Sequence, residues 1–391
     1  MNKQTPLYKE HMALAAKMCP FAGYDMPINY ALGVIKEHEW TRTKAGLFDV
    51  SHMGQAIVSG DKAAEFFSRI TPSSFIKTPN GRAKYTVLTN EAGGIIDDLI
   101  ITRMEEKKFF VVFNAGRKDV DIAWMKKNLP SGVSFEELAG NALIALQGPK
   151  AESALAKEIP EVNLAALPYM TLAQAKWPPP LHSGAPGNDA AAPKQSEGGK
   201  GAPVIISRLG YTGEDGFEIS IAADKAAAFW NALLTNPDVQ AIGLAARDSL
   251  RLEMGYPLYG HDLNEEITPV EASLSWVISK GHSGFIGAEK ILKQLESGPA
   301  KKRVGVKLLE SGIAREGCDI YVDGQTIGSR TSGGFSPSLK LAIGQGYVKS
   351  EFTREGQPLD VEVRGKKIPA AVHPLSFMTA QTKPSSLKKA S

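Results

Sequence analysis

The run Gly93-Gly94-Ile95-Ile96-Asp97-Asp98-Leu99-Ile100-Ile101 sets two adjacent carboxylates between apolar residues. Neighbouring side chains of a strand point to opposite faces, so at most one of the pair can look into a given cavity. A hairpin with both acids in water would use the same residues. Burial between isoleucines, however, raises the proton affinity of a carboxylate and obliges it to find a partner. One of Asp97 and Asp98 is therefore a candidate for acid–base work or for stabilising a cation.

A second concentration of chemistry is Leu209-Gly210-Tyr211-Thr212-Gly213-Glu214-Asp215-Gly216-Phe217-Glu218-Ile219. Its glycines allow a tight turn, and Thr and Asp suit a solvated connector equally well. The residue that separates the two readings is Glu218. In Phe217-Glu218-Ile219-Ser220-Ile221, alternation puts the apolar side chains on one face and Glu218 with Ser220 on the other. If that face lines a cavity, Glu218 is a carboxylate awaiting a hydrogen-bond donor.

A third is Gly243-Leu244-Ala245-Ala246-Arg247-Asp248-Ser249-Leu250-Arg251-Leu252-Glu253, with Arg247 and Arg251 one helical turn apart. They fit an exposed i,i+4 ion-pair face. Bracketed by leucines near a helix start, a guanidinium is also a planar fork for a carboxylate. Phe48-Asp49-Val50-Ser51-His52-Met53-Gly54 places a histidine beside serine and aspartate. A satisfied structural histidine at a helix-to-strand junction is the reading preferred there over a catalytic dyad.

The elements that must position these groups follow from periodicity and turn signals. The pattern predicts a helix from Gly33 with Gly46 as its stop, then strands over 55–59, 83–89, 99–103 and 109–114. Helices are expected over 61–70 and 117–129, the latter with Val120, Ala123, Trp124 and Lys127 along one side. After residue 203 come a strand over 204–208, helices over 224–235 and 247–254, and an all-β module from Lys301. Residues 177–203 are Pro, Gly, Ala and Asn-rich, which predicts a mobile surface insertion. The last nine residues, 383–391, are expected to fray.

Composition narrows the function classes. The 391 residues, 43% of them apolar, suffice for two or three cores, and the net charge of +3 carries no basic stripe that would favour nucleic acid. Cys19 and Cys318 are the only cysteines and show no metal-ligand spacing, so neither a disulfide framework nor a metal site is expected. No membrane span and no presequence are read, and a cytoplasmic setting is expected. Dinucleotide, Walker-type and serine-hydrolase signatures are absent.

Seven segments in register resemble the aminomethyltransferase (T-protein) family of the glycine cleavage system. They are Thr5-Pro6-Leu7, the 48–54 and 93–100 runs, Leu146-Gln147-Gly148-Pro149, the 210–218 turn, the 243–253 run and Thr331-Ser332-Gly333-Gly334-Phe335-Ser336-Pro337. The resemblance implies an α+β fold: a three-domain cloverleaf around a central folate channel, mainly antiparallel, with a jelly-roll-like C-terminal β domain. The domain division expected is 1–53 with 142–264, 54–141 with 265–300, and 301–382.

The resemblance also implies the reaction. An aminomethyl group on the lipoyl arm of H-protein passes to tetrahydrofolate as co-substrate, without a metal, giving 5,10-methylenetetrahydrofolate and ammonia. By motif position Asp98 matches the catalytic aspartate, Glu218 and Arg247 match folate-binding positions, and Tyr85, Asn114, Tyr169 and Tyr211 match wall and stacking positions. A monomer is expected. The chain departs from the family pattern in the 177–203 insertion and in the segment Pro374 to Ala380, so no tail residue is assigned as a ligand. Two relatives on the same fold remain as alternatives, a folate-binding iron–sulfur assembly factor and a folate-dependent demethylase. The former lack the paired-aspartate motif, which is intact here.

Overall fold

The computed structural model describes residues 2–178 and 201–384. Within Lys108–Phe113, a continuous apolar run, alternation sends Phe109, Val111 and Phe113 to one face and Phe110 and Val112 to the other. The first set packs on Phe66, Phe67 and Ile70 of the helix Ala63–Ile70. The second meets Phe48, Val50, Leu143 and Ala145 of a neighbouring sheet. A strand apolar on both faces is thus a strand buried on both faces, each large side chain contributing roughly 1.5–3 kcal/mol.

Two sheets are joined through that contact. The five-stranded one runs in the order Ala83–Thr89, Ile95–Glu105, Lys108–Phe113, Gly54–Ser59, Ser134–Glu137, with every pair antiparallel. The six-stranded one runs Thr171–Trp177, Ala202–Arg208, Gly216–Ala222, Asn141–Gln147, Ala45–Asp49, Val239–Ala241, and only its last pair is parallel. Its far face buries Ile144, Leu146, Phe217 and Ile219 against Phe229 and Trp230 of the helix Ala223–Leu234. The C-terminal strands, from Lys301–Leu308 to Lys366–His373, close a six-stranded antiparallel barrel with its own apolar core. The α+β, mainly antiparallel architecture expected from sequence is the one observed.

Four expectations need correction. Gly46 does not end a helix: the helix Val34–Thr43 stops earlier, and Gly46 lies in a strand where a Cβ would come within 2.4 Å of Thr41 Oγ1. The helix Lys118–Lys127 buries Asp121 and Met125 and leaves Val120 40% exposed, so the face turned inward is the one that carries Met125 into the apolar cluster of the five-stranded sheet. Trp177, Ala202 and Pro203, the margins of the expected insertion, are paired strand residues, while residues 179–200 lie outside the described residues. Lys383 is anchored, with Nζ 3.2 Å from Glu152 Oε2; the rest of the expected frayed tail, 385–391, lies outside the described residues.

Candidate active site

Asp97 and Asp98 fall in the strand Ile95–Glu105, and the pleat sends them to opposite faces as their adjacency requires. The turn before them is wedged against residue 265: a Cβ on Gly94 would lie 1.6 Å from the Glu265 carbonyl oxygen, so only glycine fits. Asp98 is half-buried and accepts from Tyr85 Oη at 3.0 Å and from Asn114 Nδ2 at 2.8 Å. Tyr85 reaches it from the adjacent strand, where Val87 is paired with Asp98 and Tyr85 lies two residues away on the same face. Burial, and then the neighbouring Asp97 charge, push the Asp98 carboxyl up to about 7 against the pull of both donors. A carboxyl group in that range exchanges protons near neutrality.

The opposite wall comes from the six-stranded sheet and the helix Leu244–Glu253. Glu218 stands between Ala145 and Ser207 in the ladder, half-buried, and among the described residues it accepts no hydrogen bond. Burial raises its proton affinity, and Arg247 is the charge that opposes this. Arg247 itself lays its guanidinium 4.7 Å from the Tyr211 ring centre, while its buried Nη1 has no partner among the described residues. Tyr211 is stacked on Tyr256 at 5.7 Å and 24°, and its hydroxyl donates to the Pro257 carbonyl. Tyr169 lies beside Tyr256 and feels the Glu218 charge. Tyr211 feels the charges of both Asp98 and Arg247, so the two walls come together around its ring.

The other acids of the glycine turn are held in ion pairs. Asp215 is bound by Arg208, and Glu214 by Arg42 at 2.9 Å. Gly213 adopts φ +78°, a left-handed backbone that favours glycine. Gly210 is required because a Cβ there would lie 1.7 Å from Gln147 Oε1, the atom that accepts from Thr212 Oγ1 at 2.9 Å. The turn is a rigid support, and Glu218 alone among its acids faces outward without a partner. Arg251, one turn beyond Arg247, is wholly engaged: Asp248 at 2.8 Å, Asp262 at 2.9 Å and Ser332 of the barrel at 3.0 Å. Of the two arginines, the first keeps a buried Nη1 without a partner among the described residues and the second fastens the barrel.

His52 forms no dyad with Asp49. Asp49 accepts from Thr5 at 2.6 Å and bonds to His11 Nε2 at 2.8 Å, and that histidine went unnoticed in the sequence. His52 packs against the rings of Phe21 and Tyr24, burial depresses it to about 4, and its Nδ1 has no partner among the described residues. It is structural but not satisfied as expected. Sequence reasoning also missed Tyr256, Asp121 and Trp276, whose ring stacks on Tyr85 at 5.4 Å while 66% exposed. A cavity lined by Ser273, Arg303, Val372 and Leu375 lies on the barrel side and contains none of these groups.

A carboxyl raised toward neutrality, stacked aromatics, and an acid and a guanidinium without hydrogen-bond partners among the described residues, gathered around Tyr211, make this the candidate active site. Residues 7–178 and 195–282 match the GCVT N-terminal domain, and residues 301–378 match the glycine cleavage T-protein C-terminal barrel domain. The chain belongs to the glycine cleavage T-protein family, an enzyme family of aminomethyltransferases. It is 40% identical over 382 residues to a probable mitochondrial aminomethyltransferase of Schizosaccharomyces pombe, covering 96% of this chain and 93% of that protein. The aminomethyltransferase of Desulfitobacterium hafniense is 38% identical, with 97% and 99% covered. The crystal structure of glycine cleavage system aminomethyltransferase T from Bartonella henselae matches with a TM-score of 0.87 at 38% identity, covering 98% of this chain and all of that one.

Proposed function

We propose that this enzyme transfers the aminomethyl carbon from the lipoyl arm of H-protein to tetrahydrofolate, releasing ammonia. The observation that carries the reading is the pairing of Asp98, titrating near neutrality, with a facing wall on which Glu218 and Arg247 Nη1 are both unsatisfied. The donor set fits tetrahydrofolate. Glu218 would accept from pterin N–H groups, Tyr211, Tyr169 and Tyr85 supply aromatic walls, and Arg247 would meet the negative end of the molecule or order the pocket around it.

The chemistry asks for modest proton traffic. As the carbon leaves sulfur and nitrogen, two folate N–H protons are lost, one ending on the dihydrolipoyl thiol and one on departing ammonia. The two new C–N bonds make the methylene bridge. Asp98 would take the proton from folate N10, stabilise the iminium-like cation, and return the proton to the leaving nitrogen. Asn114 and Tyr85 hold its two oxygens so that one orientation persists. Full-length relatives named aminomethyltransferase do not favour the assembly-factor and demethylase readings.

We assign the three domains as 1–53 with 142–264, 54–141 with 265–300, and 301–382, since the six-stranded sheet, the five-stranded sheet and the barrel each carry a separate apolar cluster. Incubating the protein with aminomethyl-loaded H-protein and tetrahydrofolate tests the function. Ammonia release dependent on both substrates is expected; tight folate binding without release would overturn the transfer reading.

A further inference from the structure

Behind Asp98, on the far side of its strand, a second acidic pair is sealed from water. Asp97 and Asp121 are both fully buried, the latter in the first turn of the helix Lys118–Lys127. Asp97 accepts from the Asn114 backbone N–H at 3.0 Å and from Asn114 Nδ2 at 2.9 Å. Neither carboxyl oxygen of Asp121 meets an N–H or hydroxyl donor among the described residues. The group whose charge bears most on it is the Asp97 carboxylate.

Every charge around the pair has been given another task. Arg117, from the preceding turn, donates through Nε to the Ile96 carbonyl at 3.0 Å, pairs with Glu265 at 2.5 Å, and sits 5.0 Å from the Tyr259 ring centre. Tyr259 donates its hydroxyl to the Ile95 carbonyl. Lys118 donates to Tyr24 Oη. Trp124, one turn along the helix, has a buried Nε1 with no partner among the described residues. Two neighbouring buried carboxylates, without a cation between them, cannot both be ionised in a dry site.

We propose that Asp121 is a positioning residue for the transfer reaction: it keeps one proton on the Asp97–Asp121 pair and donates it to Asp97, which leaves Asp97 a fixed anion that pins Asn114 toward Asp98. The Asn114 amide is the mechanical link, because Nδ2 is shared between Asp97 Oδ1 and, at 2.8 Å, Asp98 Oδ1. Asp121 touches no reacting atom. It sets the charge and the donor geometry felt by the residue that does. The physical expectation for a carboxyl buried against a carboxylate is an upward shift, and Asp121 is pushed up to about 11, by burial first and by Asp97 second.

The assignment rests on the reading of Asp98 as the proton-transfer group, so its test has one arm that does not. Infrared difference spectroscopy of the full-length enzyme at about pH 9, above the Asp98 midpoint, compares wild type with Asp121→Asn. Wild type is expected to show the carbonyl band of a protonated carboxylic acid, and the variant to lack it. No such band in wild type overturns the proposal whatever Asp98 does. In the second arm, Asp121→Asn, whose amide donates permanently, keeps turnover within about twofold and leaves the pH midpoint of turnover in place. Asp121→Leu, which strips Asp97 of a donor and sharpens its field on Asp98, moves that midpoint upward. An altered midpoint in Asp121→Asn, or an unaltered one in folded Asp121→Leu, overturns it. Loss of turnover in Asp98→Asn with the infrared difference intact separates the two claims.

Discussion

The corner around Asp98 and the wall around Glu218 and Arg247 treat charge in opposite ways. At Asp98 each carboxylate oxygen is met by a donor from the protein, and Asn114 serves two acids at once. On the facing wall half-buried Glu218 and Arg247 Nη1 are left without hydrogen-bond partners among the described residues. In the proposed function the group that works chemically is held still by the protein, whereas the groups that recognise are left incomplete so that the ligand completes them. The cost of that incompleteness is carried by the surrounding scaffold, where Arg251, Arg208 and Arg42 are fully paired.

Breaking the held side is expected to have the largest effect. Asp98→Asn should retain tetrahydrofolate binding and lower turnover by about 10²–10⁴-fold, read from ammonia release and from folate affinity in parallel. Near-normal turnover would take Asp98 out of the mechanism. The scaffold comes next: Arg251→Met leaves Asp262 buried without its cation and should cost about 3–5 kcal/mol in urea unfolding. Glu218→Ala on the recognition wall should weaken folate binding by about 1.5–3 kcal/mol, measured by calorimetry, with little change in unfolding.

The smallest effect on stability is expected one turn from Arg251. Arg247→Met removes a desolvated cation that has no partner on Nη1, so stability should stay level or rise by up to about 1 kcal/mol while folate affinity falls. A loss as large as that of Arg251→Met would erase the contrast between the two arginines.

The pH dependence refines the held side. Asp98 is raised from 3.8 to about 7, so turnover that needs its ionised form should fall as pH drops through about 7. Between these two values the native state holds a proton that the unfolded chain has released. The Asp98 contribution to stability therefore declines as pH rises across that window, a slope that Asp98→Asn should remove from denaturation curves. Glu253 has the opposite sign. Burial alone would raise it, but His38, Ser336 and Arg42 hold it at about 2, so its contribution is full above 4.5 and lost as acid takes it through about 2.

Sequence reasoning recovered the elements that repeat a simple rule. The strand Ala83–Thr89 was expected at its observed bounds, and the helices from residues 63 and 223 differed by a residue or two, because alternation and helical spacing report burial directly. The geometric contrast between Asp97 and Asp98 was legible from adjacency alone. By spacing alone, without the family resemblance, Arg247 and Arg251 could not be told apart, since the partners of Arg251 lie in the barrel and in residues after the helix. Asp121 was hidden for a related reason: an acid in a first helical turn is what the helix dipole favours in any protein. Nothing local marks the one that faces another carboxylate.

The irregular segment after the barrel has a bearing on how the enzyme is made. Phe377 N–H bonds to the Glu253 carbonyl, and Gln381 N–H to the Gly213 carbonyl, so the turn beneath Glu218 is braced by residues from near the other end of the chain. On the ribosome the glycine turn emerges long before its brace, and the nascent chain must wait for residue 381 to clear the exit tunnel before that contact can form. Completion of the proposed folate site during synthesis should accordingly be late, appearing with the barrel rather than with the sheets that carry Asp98 and Glu218.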